Sequence, residues 1–316
     1  MKHLKKTFSV ILSLTLALTV LFSFPVSAYS SPFDINDYTI DDLQNMDLNE
    51  RRELLNKFIE TYNPYGIKEL NTEYNMNTVQ PLWQSGSDGN LATHELITMQ
   101  ALLCFISDYG FYNISGTEAL AITLTLAAAS SLPDKDEIGN AFAGHFYNPD
   151  TQKNWAGSKT NTAKTNAEAH YKKAYDKLKT NVNMSVNSDD FAYVMEELGR
   201  ALHYIQDASQ PHHANNKVAV LSNHSDYEKY VDSKINDYIG NVESTPRYYY
   251  SDADKNTVAD YTHKAATVVK PFYESIKSNS NKTYWDQFGA AATQSATYYS
   301  SGVIYKLFSS CGASFV

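Results

Sequence analysis

Apolar positions recur at three- and four-residue intervals over long stretches of this chain, and no stretch shows the two-residue alternation of a half-buried strand. The pattern predicts helices over Leu91 to about Ile106, Thr117 to Leu132, Asn161 to about Val182, Ser188 to Ala208, Asp226 to Ile239, Asn256 to about Ile276 and Thr283 to about Phe308. Local punctuation agrees. Asn187-Ser188-Asp189-Asp190 offers a cap and early acids, Gln210-Pro211 closes the same helix, and Gly110, Gly240 and Asn281 interrupt others. Pro271 is expected to kink its helix, because its ring clashes with the preceding turn and it has no N–H. The expected fold class is all-α, a multi-helix bundle.

Two stretches fall outside this pattern. Residues 1–28 begin with a cationic segment, run through apolar residues from Phe8 to about Phe24 and end on Val26-Ser27-Ala28. That is the order of a secretory signal peptide, and the apolar run is short for a membrane span. A secreted protein is expected. Residues 29–82 are polar and acidic, with one amphipathic pattern (Leu43, Met46, Leu48, Leu54, Leu55, Phe58, Ile59) before the loop-like Tyr62-Asn63-Pro64-Tyr65-Gly66. Such a stretch buries little by itself.

The chain has 316 residues, 43% of them hydrophobic, which suffices for one core. A net charge of −9 and a pI near 5.5 give no basic face for a phosphate backbone, so no specific nucleic-acid partner is expected. Cys104 and Cys311 are the two cysteines. Either they pair, as a secreted chain permits, or Cys104 is a buried free thiol, and neither has a catalytic setting.

Chemistry concentrates in one segment. On a helix, His203 and Asp207 are four residues apart and face the same way, so an imidazole and a carboxylate converge on one point. His224 and Glu228 repeat that spacing, and His213 lies between the pairs. Two histidines and one carboxylate leave a position open on zinc, as a catalytic site requires. One such pair is weak evidence, since most are solvated surface pairs, but two pairs this close carry weight. Upstream stand Trp83, Thr93-His94-Glu95, Pro133-Asp134-Lys135-Asp136 and Phe142-Ala143-Gly144-His145-Phe146-Tyr147-Asn148-Pro149-Asp150.

The order Trp83, His94, Asp134, His145, His203-x3-Asp207, Gln210-Pro211-x-His213 and His224-x3-Glu228 resembles the bacterial zinc-dependent phospholipase C family, which shares a superfamily with single-strand nucleases. The resemblance spans Trp83 to about Tyr230, with every ligand position filled in order. It implies a helical bundle around a trinuclear zinc site. One zinc ion would be held by Asp134, His145, His203 and Asp207, and a second by His213, His224 and Glu228. A third would use His94, a bridging Asp207, and the α-amino nitrogen and carbonyl oxygen of an N-terminal Trp83.

An amide nitrogen is a poor metal donor because its lone pair is delocalised into the peptide bond. Residues 29–82 are therefore expected to be a propeptide removed between Leu82 and Trp83 by a processing protease, leaving residues 83–316 as the catalytic domain. His170 and His263, without a matching motif, are read as surface residues, and His212 as a neighbour of a ligand that points elsewhere.

The resemblance also implies hydrolysis of glycerophospholipids to diacylglycerol and phosphorylated head group by metal-activated water. Asp134 would be the candidate base, and Phe142 an aromatic wall for a choline head group. Lys135 and Gly86 depart from the family pattern at the head-group pocket, where relatives carry an aromatic and an acid. A cation there would repel choline and instead admit an anionic or broader range of lipid heads, yet phosphatidylcholine remains the leading substrate. The expected partners are phospholipid head groups at a membrane surface, approached by a monomer through exposed aromatic residues. The rivals are a single-strand nuclease or 3′-nucleotidase of the same fold, and a non-catalytic zinc-binding surface protein.

Overall fold

A computed structural model describes residues 33–62, 93–110, 114–137, 140–182, 184–185 and 188–310. The signal-peptide reading, Trp83, Gly86, Asn187 and Cys311 lie outside the described residues, as do both sides of the expected Leu82–Trp83 cleavage point. Among the described residues there is no β-strand, only one isolated bridge between Asn148 and Lys153.

The helices are α1 (Ile40–Asn45), α2 (Leu48–Tyr62), α3 (Thr93–Tyr109), α4 (Gly116–Ala129), α5 (Leu132–Asp136), α6 (Ala163–Thr180), α7 (Asp189–Ala208), α8 (His224–Ile239), α9 (Arg247–Lys255), α10 (Val258–Val269), α11 (Tyr273–Ile276) and α12 (Lys282–Ser310). The Ser188 hydroxyl caps α7 by accepting from Phe191 N at 3.2 Å. Asn281 Oδ1 accepts from Tyr284 N at 3.3 Å, and Gly110 ends α3 with φ of 77°. The periodicity over Asn256 to Ile276 divides at Pro271 into α10, a 3-10 turn over Lys270–Phe272, and α11. The apolar run from Thr117 to Leu132 ends early, and Leu132 opens the separate α5. Helix α9 has no counterpart among the expected elements. Its tyrosine-rich sequence is nine residues long and buries only Tyr250 and Ala253.

Helix α3 is buried on nearly every face and divides the interior. Leu102 and Phe105 enter one apolar cluster with Leu198, Leu202 and Ile205 of α7 and Val303, Ile304 and Leu307 of α12. Leu96, Ile97 and Leu103 enter a second with Leu120 and Leu124 of α4 and Tyr227, Val231 and Ile235 of α8.

The acidic N-terminal stretch also joins that second cluster. Leu43, Leu54, Leu55 and Phe58 are buried in it. Arg51 is buried as well, donating to Leu43 O at 2.8 Å, Gln44 O at 3.1 Å and Gln100 Oε1 at 2.5 Å. The stretch that buries little alone is thus packed against α3 and α4. Cys104 is a free, buried thiol that donates to Val242 O at 3.1 Å, and burial pushes it up to about 12.

Candidate metal centre

Elements from distant parts of the chain deliver the side chains. Helix α3 gives His94 from its first turn, α5 gives Asp134, a 3-10 turn over Ala141–His145 gives Phe142 and His145, and α7 gives His203 and Asp207 from its last turns. The 3-10 turn His213–Asn215 gives His213, and α8 gives His224 and Glu228. Close approach of α7 to the end of α4 depends on Gly199. A Cβ there would stand 2.4 Å from Ala129 Cβ, so only glycine lets the helices meet.

The described ligand candidates converge. Donor atoms fall into three groups, each lying within 4.8 Å: His94, His203 and Asp207; Asp134, His145 and His203; and His213, His224 and Glu228. His203 belongs to two of them, but its Nδ1 is engaged with Ser130 O at 2.8 Å, which leaves Nε2 alone to face inward. That Nε2 lies 3.4 Å from Asp134 Oδ1 and 3.1 Å from Asp207 Oδ2. Asp207 reaches the others too: Oδ2 is 2.8 Å from His145 Nδ1, and Oδ1 is 3.7 Å from His94 Nε2 and 3.3 Å from His213 Nδ1.

Outer contacts fix the ring orientations. His94 Nδ1 meets Gln206 Oε1 at 2.7 Å, and His213 Nδ1 meets His145 O at 2.9 Å. Glu228 Oε1 is 2.7 Å from His224 Nε2 and accepts from Gln210 Nε2 at 2.9 Å. His145 turns Nδ1 inward and Nε2 outward, where Glu137 Oε2 stands 3.5 Å away, and the Tyr204 hydroxyl donates to the other oxygen of Glu137.

These residues fit a cluster of divalent cations. Both carboxylate oxygens of Asp134, Oδ1 of Asp207, Nε2 of His213 and Nδ1 of His224 are buried without a hydrogen-bond partner. Buried polar atoms left unmade are costly, and cations held by imidazole and carboxylate would satisfy them. Charge is already unevenly placed. Burial lifts the Asp134 carboxyl to about 6 although His203 and His145 pull it down. Burial opposes ionisation of Asp207 as well, yet His203, His213 and His145 hold it well below the carboxylate range. Glu228 is held at about 2, where His224 and His213 overcome its burial.

Sequence reasoning missed the supporting residues. Glu137 and Tyr204 leave no signal, because their contact with each other and with His145 is made by the fold. Gln206 likewise meets His94 across 112 residues of chain, whereas Gln210 already stands in the motif that ends on His213. Glu95 is fully buried, and burial lifts it to about 7 against the pull of Lys135, whose ammonium bonds Ser131 Oγ at 2.8 Å. Lys135 is thus turned back along its own helix. Phe142 packs with its ring centroid 5.1 Å from that of His145 and is 5% exposed.

His212 points away from the ligand atoms, as expected, and stacks on His224 at 4.8 Å with its Nε2 on Asn223 Oδ1 at 3.0 Å. The reading of His170 and His263 as surface residues is corrected. His170 is half-buried against Tyr204, with Nδ1 2.6 Å from Glu197 Oε2, and His263 Nδ1 meets the Tyr147 hydroxyl at 2.8 Å.

The family model described as zinc dependent phospholipase C matches residues 118–303, more than half of the chain. A phospholipase C of Paraclostridium bifermentans is 26% identical over 244 residues, covering 71% of this chain and 60% of that protein. One of Bacillus cereus is 31% identical over 149 residues, 46% of this chain and 48% of that protein. The chain thus spans about half to three-fifths of these curated relatives. The alpha toxin from Clostridium absonum superposes with a TM-score of 0.61 at 21% identity, covering 72% of this chain and 66% of that one. The alpha-toxin of a Clostridium perfringens avian strain gives 0.57 at 23%, covering 69% and 63%. At these identities the two structures establish the shared helical fold.

Proposed function

Because the chain belongs to the zinc-dependent phospholipase C family, we propose that it is a secreted hydrolase that cleaves glycerophospholipids, phosphatidylcholine first, into diacylglycerol and phosphorylated head group. The observation that carries the reading is the gathering of three donor groups in one buried cluster, with Asp207 within 4 Å of His94, His145, His203 and His213. Asp134, His145, His203 and Asp207 would hold one zinc ion, His213, His224 and Glu228 a second, and His94 with Asp207 and the amine of Trp83 a third. Zinc, when bound, would supply charge neutralisation for the phosphoryl oxygens and acidify water.

The chain's own residues do the rest. Asp134 lies on the inner wall with both oxygens free of protein hydrogen bonds, which suits it to orient the attacking water or accept its proton. Phe142, beside His145, would supply an aromatic wall for the head group, whose cation favours a ring face. Lys135 donates to Ser131 Oγ at 2.8 Å and its charge also acts on the buried Glu95.

Residues 33–62 help form the core, so the test compares the secreted chain before and after cleavage between Leu82 and Trp83 rather than a chain begun at Trp83. Zinc-dependent release of phosphorylated head group from phosphatidylcholine by the cleaved form alone is the expected result. No release from either form with zinc bound would overturn the reading and turn attention to single-stranded DNA.

A further inference from the structure

The segment between His213 and His224 carries an exposed apolar tip. Val220 is 70% exposed and Leu221 85%, and no residue of the 3-10 turn Ala219–Leu221 is buried. They are the one consecutive pair of large exposed hydrophobic residues among the described residues. Trp155, Tyr193, Tyr248, Val268 and Tyr284 stand singly, and scattered single exposures are ordinary. An aliphatic pair this exposed at a tip calls for another occupant.

The tip is held in place. Asn216 takes a left-handed conformation with φ of 54°, and Lys217 N returns to His212 O at 2.9 Å. Leu221 N donates to Val218 O at 3.1 Å, the Ser222 hydroxyl donates to the same oxygen at 2.9 Å, and Asn216 Nδ2 ties the segment to Lys153 O at 3.1 Å. These bonds satisfy the backbone at the base while the side chains of Val220 and Leu221 face solvent.

We infer that Val220 and Leu221 insert into the surface of a phospholipid bilayer and seat the metal centre on it. The inference rests on the phospholipase reading. Leu221 precedes the ligand candidate His224 by three residues, so by chain length the two are no more than about 11 Å apart. A glycerophospholipid whose phosphate sits among the ligands keeps its acyl chains in the bilayer. A tip joined to a ligand by so short a piece of chain is thereby kept near the boundary between head groups and acyl chains, which interfacial elements enter to a depth of about 5–10 Å. Lys217, whose ammonium lies 5.4 Å from the centre of the Tyr273 ring, flanks the base of the tip with a cation suited to lipid phosphates. Interfacial binding thus falls to two aliphatic residues rather than to the abundant tyrosines.

The test is co-sedimentation of the folded, zinc-loaded chain, cleaved between Leu82 and Trp83, with phosphatidylcholine vesicles, beside turnover of a short-chain phosphatidylcholine dispersed as monomers. The double variant Val220→Ser/Leu221→Ser is expected to lose vesicle partitioning about ten- to hundredfold, the scale set by two exposed aliphatic side chains, while keeping monomer turnover. Leu221→Phe is expected to retain partitioning, and Val268→Ser, which removes a separate 45%-exposed side chain, to leave it unchanged. Unchanged partitioning of the double variant overturns the proposal, and so does equal loss of monomer turnover, which would mark the pair as structural. Tip-dependent partitioning by a chain that cleaves no phospholipid would uphold the docking surface and reject the phospholipase reading instead.

Discussion

Glu137 stands behind His145, its Oε2 3.5 Å from the outward Nε2 of an imidazole whose Nδ1 lies 2.8 Å from Asp207. A carboxylate behind a ligating histidine fixes the tautomer and raises the basicity of the inner nitrogen. Tyr204, donating to the same carboxylate, holds it there. Glu137→Gln is expected to weaken zinc binding by about 10–100-fold. Competition against a chromophoric chelator measures this, and partial recovery in Glu137→Asp with an unchanged helical circular dichroism spectrum would separate positioning from misfolding.

Asp207 is within reach of every ligand group, whereas Glu228 serves one. Asp207→Asn is expected to lose about two zinc ions per chain and Glu228→Gln about one. Elemental analysis after desalting decides it, and equal losses would refute the bridging role.

Metal binding should release protons. In the metal-free chain, burial disfavours the charged His145, but Asp207 and Glu137 more than offset this and raise it to about 10. At pH 7 that ring therefore holds a proton which a cation must displace. A folded-state value above the ordinary one of 6.5 means that the proton's contribution to the metal-free fold is complete below pH 6.5 and fades as pH rises towards 10. Zinc affinity is accordingly expected to climb with pH from 6 to 9. Calorimetry in buffers of differing ionisation heat counts the protons, and no release at pH 7 would contradict the scheme.

Gly199→Ala should destabilise the fold by about 1–3 kcal/mol, despite alanine's better helix propensity. The added Cβ would sit 2.8 Å from Ala129 C and 2.9 Å from Ser130 N, beside the carbonyl that orients His203. A shift in the denaturant midpoint reads the loss, and a more stable variant would show that the helices separate without cost.

Residues 33–62 should remain attached after cleavage at Leu82–Trp83. Leu43, Leu55 and Phe58 are buried, and Arg51 bridges Leu43, Gln44 and Gln100. Gel filtration of the cleaved chain is expected to keep both pieces together under native conditions, and Arg51→Ala to let the smaller one dissociate. Immediate separation in the unsubstituted protein would show that the docking depends on the covalent link.

The amino-acid sequence by itself determined the helical class and, through motif order, the eight described ligand candidates His94, Asp134, His145, His203, Asp207, His213, His224 and Glu228. Helical period is local, and His203-x3-Asp207 and His224-x3-Glu228 each lie on one helix, so their convergence follows from 3.6 residues per turn. Only the tertiary structure decided that Glu137 backs His145 and that Ser130 orients His203, because those contacts join residues far apart in the chain. Packing likewise decided the fate of the acidic stretch after the signal-like segment. Its amphipathic face was legible, but whether a face finds an apolar partner depends on what α3 and α4 present to it. The exposure of Val220 and Leu221 was illegible for the opposite reason: their hydrophobicity suggests burial, and only the fold shows that nothing in the described chain covers them.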